Sequence, residues 1–364
     1  MVKNTFGYVE IPLQRIHLEL TNVCNLNCAF CPKSVMRRPL GFMEEALAKR
    51  AISEIAANNL CEKITLHVMG EPTLHPRFFE ILEHAAAEEQ RIGLTTNGTT
   101  LGGDFGKRLL EYELHQVDIS LQTPDEVSFA FRKAGKLKFD RYLDNIMEFF
   151  STYCTRYPKT IFKFRILNTS LNKRQMESRL GGVDIITSNN ELKRLVKLYA
   201  LSIYNRINFN ISKQYIFHRR LDSLVRYKWN VIEVMPNVFL ETYLLSGWGN
   251  AFEDGIKPSN YGYCYGMKDH FGILYNGDVV LCCIDYDGKT AFGNISNSSL
   301  EGVLSSPMLK EVMEGFKKYR LVHTYCKRCQ GSHSYFSSML KPVVSVLALK
   351  ILKGFFYKHT KLFE

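Results

Sequence analysis

The chain lacks a long apolar run. No stretch of its 364 residues reaches the 18 or so consecutive apolar side chains of a membrane span. The N-terminus, "MVKNTFGYVEIPLQRIHLEL", lacks the continuous apolar core of a signal peptide. A spanning or exported protein is not expected, and a cytoplasmic location is. Low-complexity tracts and fixed-period repeats are missing too, which excludes disordered arrays and solenoids. The formal charge of +11 is not matched by any nucleic-acid-binding motif, and its basic residues are scattered, so nucleic acid is not an expected partner.

What is present is globular: 46% hydrophobic and 23% charged residues, in a chain longer than one average domain. The expected division is a large domain over residues 1–240, a small cysteine-bearing domain over 258–335 and a C-terminal helix over 336–364. In that last segment Lys341, Lys350, Lys353, Lys358 and Lys361 flank apolar residues. This pattern suits a helix lying at the inner membrane surface or one docked on the body with a solvated lysine face.

Apolar strands alternate with helical stretches through the first part of the chain. Strands are expected at Arg15–Leu20, Lys63–Met69, Ile92–Thr96, Val117–Gln122 and Thr160–Leu167, with helices at Glu44–Ala57, Pro76–Glu88, Asp104–Glu113 and Arg141–Tyr153. Alternation of this kind implies an α/β fold with a parallel sheet, open or closed as a barrel. Function in such sheets collects at the C-terminal ends of strands. Those ends read "TNVCNLNC", "MGEPTLHP", "TTNGTT" and "SLQTPDE".

Ten cysteines in a reducing compartment point to metal or redox chemistry rather than a disulfide framework. Cys24, Cys28 and Cys31 stand in a C-x-x-x-C-x-x-C loop with no fourth Cys or His nearby, His17 lying within the preceding strand. A structural zinc wants four ligands. Three thiolates suit an iron–sulfur cube whose fourth iron is open to another ligand. With Phe30 before the third cysteine, the loop resembles that of the radical S-adenosylmethionine (SAM) superfamily. Gly70-Glu71-Pro72 resembles the family's "GEP", and "TTNG", containing Asn97, and "ISLQ", containing Ser120, match its next strand ends.

The resemblance implies a partial (β/α)6 TIM-like barrel and a SAM-binding [4Fe-4S] cluster held by Cys24, Cys28 and Cys31. It also implies a cofactor site in which Gly70, Glu71 and Pro72 hold the methionine amino group and Phe30 lies beside the adenine. Asn97 belongs to the same site, with Ser120 on the ribose and Arg132 or Arg165 on the ribose or carboxylate. The chemistry implied is reductive cleavage of SAM to a 5'-deoxyadenosyl radical that abstracts hydrogen from an unactivated carbon, fed by a donor such as flavodoxin or ferredoxin.

Cysteines return in "CYGMKDHFGILYNGDVVLCC" and "CKRC". Cys264, Gly277 and Cys282, followed by Cys326 and Cys329, resemble the opening of a SPASM extension, but no cysteine follows Cys329. The resemblance therefore implies one auxiliary [4Fe-4S] cluster on Cys264, Cys282, Cys326 and Cys329, with Cys283 as an alternative to Cys282. A zinc ribbon is the competing reading, and with it a zinc-bound protein that interacts with a membrane or partner. Cys61 and Cys154 fall in helical segments and are expected to be buried apolar thiols. The sequence names no catalytic acid or base; Tyr275, Asp278, Asp285 and Cys283 are candidate radical quenchers. The expected substrate is a sugar or polyol that is dehydrogenated or epimerised, and a peptide is the alternative.

Overall fold

The computed structural model describes residues 4–168, 185–186, 188–207, 221–226, 228–245 and 247–346. Residues 347–364 of the expected C-terminal helix lie outside them. In chain order the strands are β1 (Thr5–Phe6), β2 (Val9–Glu10), β3 (Arg15–Leu18), β4 (Ile64–Leu66), β5 (Ile92–Thr96), β6 (Gln116–Gln122), β7 (Ile161–Asn168), β8 (Asn230–Met235), β9 (Val238–Leu244), β10 (His270–Ile273), β11 (Asp278–Val280) and β12 (Gly293–Asn294). The helices used below are α1 (Glu45–Ala57), α2 (Phe78–Ala87), α3 (Phe139–Arg156), α4 (Asn189–Ile207), α5 (Thr324–Cys329) and α6 (Tyr335–Val346).

The chain forms two compact units. One comprises Met1–Val23, Val35–Ile92 and Ser246–Glu364, the other Cys24–Ser34 and Gly93–Leu245. In the first, β4, β3 and β10 pair in parallel, and β10, β11 and β12 continue as an antiparallel meander. The turn between β10 and β11 is a hairpin at Asn276-Gly277; Gly277 has φ +87°, a left-handed conformation that only glycine adopts without strain. In the second unit β5, β6, β7 and β9 run parallel, and β8 closes antiparallel on β9. The α/β class, the predominance of parallel pairing and the cysteine-rich hairpin-and-helix region agree with expectation.

Helix faces account for the packing. α3 buries Tyr142, Ile146, Phe149, Phe150 and Tyr153, spaced at three and four residues, and Phe150 meets Phe162 and Phe164 of β7 edge to face. The β4 strand ends at Leu66, three residues short of the expected Met69. The chain leaves the ladder there because the Met69 N–H donates to Glu19 Oε2 at 3.0 Å rather than to a neighbouring strand.

Glu19 is wholly buried just beyond β3. Its carboxylate takes a bidentate pair from Arg38, at 2.7 and 2.9 Å, and the backbone N–H of Tyr275 at 3.3 Å. Arg38 in turn donates from Nε to the Tyr286 carbonyl at 2.9 Å. Every strong acceptor position on Glu19 is thereby matched, which is what lets a charge survive burial.

On α6, Tyr335, Phe336, Met339, Leu340, Val343 and Val344 are exposed. Among the described residues no helix is long and apolar enough to cross a membrane.

Replacing Arg38 by Met should leave the Glu19 charge buried and unpaired, lowering unfolding free energy by about 3–5 kcal/mol. Denaturant titration checks this, and a Glu19→Leu/Arg38→Met double variant should recover much of the loss.

Candidate iron–sulfur and cofactor sites

Backbone contacts shape the first cysteine loop. Asn27 N–H donates to the Arg132 carbonyl at 3.2 Å and Ala29 N–H to that of Phe131 at 2.8 Å, while Cys31 N–H closes a turn on Cys28. Lys33 sits inside the curve, its Nζ bonded to the carbonyls of Cys24 and Leu26 at 2.8 and 3.2 Å. Two donors reach Cys24 Sγ: the Leu26 N–H at 3.5 Å and Asn97 Nδ2 at 3.7 Å. Burial, with smaller contributions from Cys28 and Cys24 beside it, pushes the Cys31 thiol up to about 12. Three close thiols, one of them held un-ionised by burial, with N–H groups aimed at the Cys24 sulfur, fit metal-bound thiolates, since a metal takes up the charge that burial opposes.

The other residues expected around this loop are in varied settings. Asn97 also donates to Asn25 Oδ1 at 2.9 Å and accepts from Thr99 N–H and Oγ1, which fixes its amide. Arg132 is 1% exposed; its Nη1 donates to the Ser120 and Leu121 carbonyls, both at 2.6 Å, and to Tyr142 Oη at 2.8 Å. Its guanidinium thus ties the end of β6 to α3, and its backbone supports the loop. Ser120 is partly exposed, and Phe30 is buried. Arg165 lies between Glu241 (3.3 Å) and Asp118 (3.9 Å) and over the ring of Tyr243, whose hydroxyl accepts from Gln122 at the end of β6.

Gly70, Glu71 and Pro72 belong to the first unit. Gly70 has φ +73°, and a Cβ there would lie 2.3 Å from the Thr21 carbonyl oxygen and 2.7 Å from that of Val23. Only glycine fits. Glu71 is buried, donates its backbone N–H to the Val23 carbonyl at 2.8 Å, and accepts at Oε1 from Thr73 Oγ1 at 2.7 Å. It caps a short 3-10 turn, Pro72–Leu74, with proline where no N–H is needed.

The second thiol set lies wholly in the first unit. Cys264, Cys282, Cys326 and Cys329 are close enough to influence one another's ionisation. Burial first, and then these neighbours, pushes the Cys264 and Cys329 thiols up to about 12. The donor arrangement of the first loop recurs: Gly266 N–H approaches Cys264 Sγ at 3.3 Å and Ile284 N–H approaches Cys282 Sγ at 3.5 Å, each from two residues on. A Cβ on Gly266 would stand 2.6 Å from the Leu281 carbonyl oxygen, 3.3 Å from Cys264 Sγ and 3.4 Å from Cys282 Cβ, so the cradle depends on its absence. α5 carries Cys326 and Cys329 three residues apart on one side. These four thiols fit an iron–sulfur cluster. Cys283 lies beside His270 and His17, and Cys282 also reaches His270, at 3.6 Å.

Among the candidate quenchers, Tyr275 Oη is bonded to the Pro39 carbonyl and Asp278 pairs with Asn276 and Asn294. Asp285 is wholly buried and accepts from Lys289 N–H and from Thr290 N–H and Oγ1, organising its own turn. Cys61 and Cys154 are buried, and burial raises both to about 12. Sequence reading missed Lys33, Asn25, Gly266 and Glu19. For Gly266 the C-x-G spacing after Cys264 was a usable signal; for the others the partners are distant in sequence or are backbone carbonyls.

The family model for the radical SAM superfamily matches residues 18–167, and that for SPASM, an iron–sulfur cluster-binding domain, matches residues 264–330. The chain belongs to the radical SAM superfamily. Within it, this is a member with a C-terminal SPASM region, so its cofactors are SAM, a [4Fe-4S] cluster and an auxiliary iron–sulfur cluster.

The chain is 29% identical over 109 residues to the tungsten-containing aldehyde ferredoxin oxidoreductase cofactor-modifying protein of Pyrococcus furiosus, covering 30% of this chain and 31% of that one. It is 31% identical over 134 residues to mycofactocin maturase MftC of Mycobacterium ulcerans, covering 35% of each. These matches span about a third of the relatives' length. The fold is shared with Streptococcus suis SuiB, at TM-score 0.52 and 15% identity, over 84% of this chain and 69% of that one.

Replacing Gly70 by Ala should destabilise the native state by about 2 kcal/mol or more through backbone strain and overpacking, read as a lower denaturation midpoint. Replacing Cys282 by Ser should remove about four irons per chain from the reconstituted protein, whereas Cys283→Ser should leave iron and sulfide unchanged in elemental analysis.

Proposed function

We propose that the protein oxidatively modifies a peptide, abstracting hydrogen from an unactivated carbon of a side chain. The observation that carries the oxidative part is the second thiol set. Cys264, Cys282, Cys326 and Cys329 are enough thiols to ligate every iron of one [4Fe-4S] cluster, which would leave no iron open to a substrate. Substrate must then be held by side chains alone. The likeness to mycofactocin maturase supports a peptide, and none of these likenesses supports the sugar or polyol expectation.

When bound, the cluster and SAM supply a 5'-deoxyadenosyl radical, and the auxiliary cluster supplies a site for electrons. The chain's own residues hold and orient. Cys24, Cys28 and Cys31 are the ligands of the first cluster, with Leu26 N–H and the Asn97 amide stabilising negative charge on Cys24. Lys33, bonded to two loop carbonyls, keeps the loop curved and adds a positive charge beside the thiolates. Glu71 is the acceptor for the methionine ammonium, Gly70 and Pro72 shaping the turn that presents it. Within the second unit, Asn97, Ser120 and Phe30 are the residues assigned to the cofactor. Arg132 acts as a positioning residue, because three acceptors already engage its Nη1. Arg165 has its charge compensated within the chain by Glu241 and Asp118. A small flavin or iron–sulfur protein of the flavodoxin or ferredoxin type is the electron donor.

The test is deuterium transfer into 5'-deoxyadenosine under anaerobic, reducing conditions, with the deuterated peptide fraction and the deuterated sugar-and-polyol fraction of one cell extract supplied separately. Label from the peptide fraction, abolished in a Cys24→Ala/Cys28→Ala/Cys31→Ala variant, is the expected result. Label from the sugar fraction alone would overturn the substrate class. Absence of 5'-deoxyadenosine from wild type with about eight irons per chain would overturn the reaction class.

A further inference from the structure

The adjacent cysteines Cys282 and Cys283 both reach His270, and Cys283 also belongs to a cluster with His17. Cys282 approaches Cys264, Cys326 and Cys329. Cys283 Sγ lies 3.7 Å from His270 Nε2, and one ligand atom each of His17, His270 and Cys283 all lie within 4.8 Å of one another. Strand register brings the histidines together. In the parallel β3–β10 pair His270 is opposite Arg15 and Gly272 is opposite His17. His17 and His270 are therefore diagonal neighbours on one face of the sheet, with ring centroids 5.3 Å apart and planes at 89°.

This is an unusual place for two imidazoles. His17 and His270 are 7% and 8% exposed. Neither ring nitrogen of His17 makes a hydrogen bond of ordinary geometry, the backbone of His67 lying beside the ring, and His270 Nδ1 has no partner either. A buried polar atom left unmatched loses its hydrogen bonds to water without replacement, so such atoms are rare unless something binds there. The His270 ring edge meanwhile touches two sulfurs, Cys282 at 3.6 Å and Cys283 at 3.7 Å. Two imidazoles and a thiol in one buried cluster form a mixed nitrogen and sulfur donor set.

We propose that His17, His270 and Cys283 form a mononuclear site for a divalent transition ion, zinc by its donor set, separate from the four-thiol cluster and with one coordination position open. Borderline-soft zinc takes this combination, while calcium and magnesium do not. Tetrahedral bonds of about 2.3 Å to sulfur and 2.0 Å to nitrogen place the two donors about 3.5 Å apart. The His270–Cys283 separation is 3.7 Å, and the three donors all lie within 4.8 Å of one another, so binding an ion needs only a small contraction of the cluster.

The experiment is elemental analysis of the full chain, grown with zinc and reconstituted anaerobically with iron and sulfide, together with X-ray absorption at the zinc edge. About one zinc is expected beside about eight irons, with two nitrogens and one sulfur among its ligands. Cys283→Ser and His17→Ala should each lower bound zinc by about tenfold or more while iron and sulfide stay at the wild-type level. Cys283→Ser preserves shape, so it decides the matter even where His17→Ala fails to fold. No retained zinc in wild type, zinc surrounded by four sulfurs, zinc unaffected by Cys283→Ser, or iron lost in Cys283→Ser would each overturn the site. Iron content and 5'-deoxyadenosine are read in the same samples, so failure of the zinc site is distinguishable from failure of the radical chemistry.

Discussion

One buried carboxylate organises the unit that carries the auxiliary thiols. Glu19 stands just past β3, and its two oxygens receive Arg38, the backbone of Met69 and the backbone of Tyr275. Those partners come from the segment after the first cysteine loop, from the end of β4 and from the hairpin that leads to Cys282. A carboxylate in low dielectric is tolerable only when its acceptor capacity is filled. The three segments are consequently required to converge, and the Gly70 turn follows immediately after Met69. Arg38 extends the constraint by donating to Tyr286, and Asp287 accepts from the backbone of Arg37 and Arg38. The hairpin and the loop after the cysteines are thus joined by ionic contacts that hydrophobic patterning alone would not specify.

The parts legible in the sequence were those in which chemistry dictates local spacing. Three thiols in eight residues, a glycine that must turn, and a CxxC pair carry their meaning within short windows. Strand and helix periodicity in the first part of the chain was equally local, and β5 falls where alternation placed it. Glu19 was illegible for the opposite reason. Its partner Tyr275 is 256 positions away, and an acidic residue at a strand end reads as solvent-facing until the fold buries it. Lys33 was hidden because it bonds to carbonyls, which every residue has. Arg132 was legible as a residue of interest but not in its setting, since nothing local says that Tyr142 and two carbonyls will enclose it. The division of Cys282 from Cys283 needed the positions of His270 and His17, set by a parallel pairing between strands more than 250 residues apart.

The two thiol sets share a local solution to a common problem. A thiol excluded from water resists ionisation, and several such thiols together resist it more, so a metal must repay the cost of deprotonating them. At Cys24, Cys264 and Cys282 the chain supplies part of that compensation itself. The N–H two residues on turns toward the sulfur in each case. A backbone donor needs no side-chain identity, which is why the same arrangement occurs on Leu26, Gly266 and Ile284. At Gly266 the requirement becomes visible in the sequence, because the backbone there passes too close to Leu281 and to both neighbouring cysteines to carry a Cβ. Cys61 and Cys154 are the informative contrast. Both are buried and hard to ionise, yet neither has a partner thiol nearby in the described structure, and burial dominates their shifts. What separates a ligand from a packed thiol in this chain is therefore not burial but the gathering of several sulfurs around donors already aimed at the charge a metal will impose.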